Sequence, residues 1–101
     1  MKIAVIGDKE TVALFAYAGA SETLVANDDV EAQFDGLVDR SDVGVIIITE
    51  RIADQIMKKI TKIKMQRELP IIVEIPDKKG TIADRENSLD TLIRRAVGVG
   101  V

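Results

Sequence analysis

Three aliphatic runs limit this chain to very few folds: Ile3-Ala4-Val5-Ile6, Val43-Gly44-Val45-Ile46-Ile47-Ile48 and Ile71-Ile72-Val73-Glu74-Ile75. A strand that is apolar on successive residues presents apolar side chains to both sides of a sheet, so both sides must be covered. The segments between the runs carry helical periodicity instead, and strands alternating with helices point to a parallel sheet joined by right-handed crossovers. Val43–Ile48 is the longest and most β-branched of the runs and is expected at the centre.

The first run stops at Gly7-Asp8, and Asp8 or Thr11 caps a helix predicted over about residues 10–18, with Val12, Phe15, Ala16 and Gly19 along one side. Gly19 is its natural stop. Thr23-Leu24-Val25 reads as a weaker second strand. Asn27 is expected to cap the next helix, whose first turn holds Asp28, Asp29 and Glu31 at the positive end of the helix dipole and whose apolar stripe is Val30, Phe34, Leu37 and Val38. After the central strand, Thr49-Glu50 resembles a cap for one helix with Ile52, Ile56, Ile60 and Ile63 on a single stripe and Lys58, Lys59, Lys62 and Lys64 mostly outside it. Pro70 introduces the fourth strand and Pro76 ends it. A final amphipathic helix, capped by Asn87 or Ser88, carries Leu89, Leu92, Ile93, Ala96 and Val97 on one side.

These elements predict a small α/β fold: a four-stranded parallel sheet in the order 2-1-3-4 with helices on both faces, a Rossmann-like or flavodoxin-like arrangement, plus a C-terminal helix. Residues 1–76 form the α/β body, 77–86 a flexible loop containing Lys78, Lys79 and Gly80, and 87–101 a C-terminal helix and tail of the same domain. At 101 residues there is room for one core only.

Composition removes whole classes of chemistry. The chain has no cysteine and no histidine, which excludes thiol nucleophiles, disulfides, Cys/His zinc sites and imidazole acid-base catalysis. Only Phe15, Tyr17 and Phe34 are aromatic and the net charge is −3, a poor match to nucleic acid, which needs positive charge and stacking surfaces. The apolar run at the N-terminus is too short for a signal peptide or a membrane span, which predicts a cytoplasmic location without membrane insertion.

In open parallel sheets, ligands bind beyond the carboxyl ends of the strands, here Gly7, Asp8, Thr49, Glu50, Pro76 and Asp77. Gly7 stands alone rather than in G-x-G-x-x-G, and no phosphate-loop lysine motif follows it, so neither a dinucleotide nor a nucleotide-phosphate cradle is written in the sequence. A receiver-like signalling domain shares this topology. Its phosphorylation site needs an acidic pair after the first strand and an acceptor aspartate ending the third. Here Asp8 is followed by Lys9, the third strand ends at Ile48-Thr49-Glu50, and most of that site is missing. The basic set Lys58, Lys59, Lys62, Lys64 and Arg67 and the acidic set Asp28, Asp29, Glu31, Asp35, Asp39 and Asp42 read first as solvated outer faces. The last helix either finishes covering the sheet or lodges in a groove on a partner.

Taken together, Ile3-Ala4-Val5-Ile6-Gly7-Asp8, Val45-Ile46-Ile47-Ile48-Thr49-Glu50, Pro70 with Ile75-Pro76-Asp77-Lys78-Lys79-Gly80, and Ile93-Arg94-Arg95-Ala96-Val97-Gly98 resemble the F subunit of the A-type/V-type ATP synthases over nearly the whole chain. The resemblance implies a noncatalytic component of the central rotor stalk with no cofactor, no metal and no catalytic residue of its own. Its implied partners are the coiled-coil D subunit, the A and B subunits of the catalytic head, and the component linking the stalk to the membrane ring. It further implies a position peripheral to the cell membrane in the soluble sector, and a partner interface falling on Leu89, Leu92, Ile93, Arg94, Arg95 and Val97.

Overall fold

The computed structural model describes residues 1–77. Its elements run β1 (Lys2–Gly7), α1 (Lys9–Tyr17), β2 (Glu22–Val25), α2 (Val30–Val38), β3 (Val43–Thr49), α3 (Glu50–Gln55), α4 (Met57–Gln66) and β4 (Ile71–Ile75). The sheet is four-stranded, wholly parallel and ordered β2-β1-β3-β4, the arrangement expected from the sequence. The expected C-terminal helix, with Leu89, Leu92, Ile93, Arg94, Arg95 and Val97, lies outside the described residues.

Alternation along the strands sorts the core. Ala4 and Ile6 of β1, Ile46 and Ile48 of β3 and Ile72 of β4 share one cluster with Val30, Phe34, Leu37 and Val38 of α2, Ala53 of α3, and Ile56 and Ile60. Phe34 is the largest fully buried side chain and anchors α2 against the sheet. The other face takes α1, which packs on β1 and β2 and buries Val12. Val5, the alternate residue of β1, is also wholly buried. β3 reads as expected, buried at Val43, Gly44, Ile46, Ile48 and Thr49, with the register to β1 shifting between Lys2 and Ile3 so that Gly44 has no partner in the ladder.

The segment after β3 departs from expectation. One continuous helix is the simplest reading of Ile52, Ile56, Ile60 and Ile63, but Ile56 has φ −129° and ψ 31°, which divides α3 from α4. Each four-residue step rotates a stripe by roughly 40° around a straight helix, and two such steps in succession carry it off the sheet. The break resets the direction, so that Ala53, Ile56 and Ile60 are all buried. On α1, Ala16 and Gly19 are exposed rather than part of the inner side. Gly19 nevertheless ends that helix with φ 107°, a left-handed conformation open to glycine at little cost.

Charged pairs tie the outer layer together. Lys59 of α4 bonds both carboxylate oxygens of Asp35 on α2, at 2.8 and 2.9 Å, and lies 3.3 Å from Glu31. The bond that Lys59 donates to Asp35 leads the causes that raise the Lys59 pKa. Part of the basic set is therefore engaged with the acidic set of the neighbouring helix. Among the described residues no helix is long and apolar enough to cross a membrane.

Candidate functional site

The strand ends form a cleft of about 410 Å³ lined by Asp8, Lys9, Glu10, Thr49, Arg51, Ile52 and Asp77. It lies between the carboxyl ends of β1 and β3, at the point where the chain order reverses, so Asp8, Thr49 and Asp77 are brought together as the topology requires. Its volume falls within the range of small-molecule sites. Its carboxylates Asp8 and Asp77, however, are engaged in bonds within the fold.

Asp8 is the N-cap of α1. One carboxylate oxygen accepts from the backbone N–H of Thr11 at 3.1 Å and the other from the Thr11 hydroxyl at 2.6 Å. Burial pushes this carboxyl up, but the hydrogen bonds from Thr11 outweigh it and hold the pKa below its ordinary value. Asp8 is thus ionised and acting as an acceptor, a poor disposition for a general acid. Asp77, directly after Pro76, has a side chain only 8% exposed, and Arg51 Nε sits 2.9 Å from its Oδ2. Among the described residues, no three acidic side chains converge to hold a metal ion.

Thr49 follows the same pattern. It occupies the N-cap position of α3 but makes no side-chain capping bond, and it is almost completely buried. Its methyl group presses on Gly7: a β-carbon at Gly7 would lie 2.8 Å from Thr49 Cγ2. Gly7 is therefore required by close packing at the last residue of β1, not by a turn. Pro76 is half-buried beside the cleft and Glu50 is buried. Lys9, Glu10, Arg51 and Ile52 also line the cleft, and nothing in their local pattern marks them in the sequence; only the α/β topology places them there.

The receiver-like alternative fares poorly in this geometry, because the position of an acceptor aspartate at the end of β3 is held by buried Thr49. The sequence pattern of a known family, described as the ATP synthase (F/14-kDa) subunit, matches residues 3–93. Among its relatives, the F subunit of the A-type ATP synthase of Thermococcus kodakarensis is 41% identical, with 98% of this chain and 96% of the relative aligned. That of Methanocaldococcus jannaschii is 39% identical over 100% and 99% of the two chains, and that of Methanococcus maripaludis 37% over the same shares. Similarity at this level runs from β1 through the residues beyond β4, and the chain belongs to the family of the ATP synthase (F/14-kDa) subunit, alongside the F subunits of the A-type enzymes.

Proposed function

We propose that this protein is the noncatalytic F subunit of the central rotor stalk of an A-type ATP synthase. A rigid α/β body docks on the coiled-coil D subunit and turns with it inside the head of A and B subunits, coupling ATP synthesis or hydrolysis to ion transport through the membrane ring. The observation that carries the reading is the similarity to F subunits of A-type enzymes along essentially the full length of both chains. The cleft is consistent with it, since Asp8 and Asp77 are held in capping and ion-pair bonds rather than presented to a substrate.

In this reading Leu89, Leu92, Ile93, Arg94, Arg95 and Val97 form a second contact, on the stalk or the head, and the component between stalk and membrane ring completes the partner set. The complex lies peripheral to the membrane, with this chain on its soluble side. Co-expression with a tagged D subunit, taken from the same organism, tests the central claim: stoichiometric copurification is expected, and failure to bind overturns it. In the assembled complex, Leu92→Asp with Ile93→Asp should alter ATPase activity; a complex with unchanged stability and turnover removes the C-terminal interface.

A further inference from the structure

The two faces of the sheet are covered unequally. The chain order reverses at β1, since the step from β1 to β2 runs one way across the sheet and the steps from β2 to β3 and β4 run the other. Crossovers of a single hand then place α1 on one face and α2, α3 and α4 on the opposite one. Three helices thus serve the side of Ala4, Ile46 and Ile72. On the other side α1 packs on β1 and β2, while the helices packed on β3 and β4 are, among the described residues, chiefly α2, α3 and α4.

The less covered face is aliphatic without interruption. The ladder sets Ile3, Val45 and Ile71 side by side in one row and Val5, Ile47 and Val73 in the next. Val5 of β1 is wholly buried, but Val45, Ile47 and Val73 are only half-buried, and Ile71 at the β4 edge is 47% exposed. A parallel sheet is stable with both faces covered, so an apolar strip along β3 and β4 calls for a cover.

We infer that the cover is this chain's own segment 89–97, seated in the isolated protein with Leu92 and Ile93 against Ile47, Ile71 and Val73. The helix expected from the sequence there carries Leu89, Leu92, Ile93, Ala96 and Val97 on one side, a stripe as free of charge as the strip it meets. The starting point suits it. The described residues end at Asp77, which lines the strand-end cleft with Asp8, Lys9 and Glu10 at the start of α1. A helix returning from that end of the sheet lies alongside α1, over β3 and β4. Lengths agree as well: nine helical residues span about 14 Å, against roughly 17 Å for the five residues of β4. The eleven residues 78–88 reach up to about 36 Å when extended, more than the rise of about 10 Å between packed layers. A second copy is the weaker occupant, because a tethered segment is present at an effective concentration on the order of millimolar.

The chain has no cysteine, so Val73→Cys puts a single thiol at the middle of β4 on this face. Its alkylation rate in the isolated chain is compared in three backgrounds: otherwise unaltered, with Leu92→Asp/Ile93→Asp, and with Arg94→Glu/Arg95→Glu, whose positions fall outside the stripe. Far-UV circular dichroism melts check that all three are folded. The thiol should react slowly in the first and third and at least about tenfold faster in the second, where the cover is lifted. Equal rates in all three overturn the assignment. Should the aspartate pair unfold the chain, methyl nuclear Overhauser contacts in the unaltered protein decide, with contacts from Leu92 and Ile93 to Ile47, Ile71 or Val73 expected and their absence overturning it. Contacts found only between labelled and unlabelled molecules in a mixed sample identify a second copy as the occupant and overturn it too. No D subunit enters these measurements, so their failure leaves the stalk reading where it stands.

Discussion

Arg51 Nε lies 2.9 Å from Asp77 Oδ2, so the first turn of α3 holds the residue that follows β4 and Pro76. The bond ties the residue after Pro76 to the helix that follows β3. Arg51→Ala should lower the unfolding free energy by about 1–2 kcal/mol, because a nearly buried carboxylate loses a charged donor. Urea denaturation checks this, and Arg51→Lys should recover only part of the loss, since the planar fork is not replaced by a point charge.

The two glycines of the central strands should respond differently to alanine. At Gly7 the added methyl meets Thr49, buried and fixed between β1 and α3, and Gly7→Ala should cost about 1–3 kcal/mol. At Gly44 the nearest atoms belong to Met1, 85% exposed at the chain start and able to move aside, so Gly44→Ala should change stability much less. Thermal melts of the two variants, side by side, test the comparison.

Acid should loosen the network around Asp42. The side-chain bond from Arg40 leads the causes that bring this carboxyl from 3.8 to about 2. A carboxyl depressed in the folded state contributes stability that is complete above its unfolded pKa and is lost as pH falls through the folded one. The contribution should therefore be constant at neutral pH and fade between about pH 4 and about pH 2. Denaturation midpoints of the unaltered chain and Asp42→Asn should differ at about pH 6 and converge across that window.

Capping of α2 offers a test between adjacent acceptors. Asp29 Oδ1 accepts from the backbone N–H of Ala32 at 3.1 Å and is the N-cap, while Asn27, two residues earlier, accepts through Oδ1 from the N–H of Asp29 at 2.7 Å. Asp29→Ala should cost about 1 kcal/mol through the lost cap. Asn27→Ala removes a turn bond instead and should cost less; equal losses in a denaturant titration would contradict the division of roles.

That pair also shows where sequence reading runs out. Asn27, Asp28 and Asp29 are all good capping types, and choosing among them depends on the backbone angles of the loop, which no residue identity fixes. The strands are legible because aliphatic runs such as Ile46-Ile47-Ile48 have few alternatives, and their parallel pairing follows from alternation with helices. The break at Ile56 is hidden, since isoleucines at positions 52, 56 and 60 fit either one helix or two until the sheet surface is known. At the cleft, Asp8 and Thr49 are placed by the strand ends, but Arg51 becomes visible only once Asp77 is beside it. The exposed side of α1 is concealed for a related reason: Leu14 and Tyr17 have the composition of core residues, and only the packing shows which way they face.

The wholly parallel pairing of the sheet has a consequence for how the protein is born. Parallel neighbours cannot be closed by a tight turn, so every pair waits for a crossover to be synthesised. β1 meets β2 first, Ala4 opposite Glu22, but its other side stays open until Ile46 arrives to lie against Ala4. During elongation the strand destined for the middle of the sheet is therefore an unfinished edge for most of the time that α2 and β3 are being made. The nascent chain is most open to mispairing in that interval.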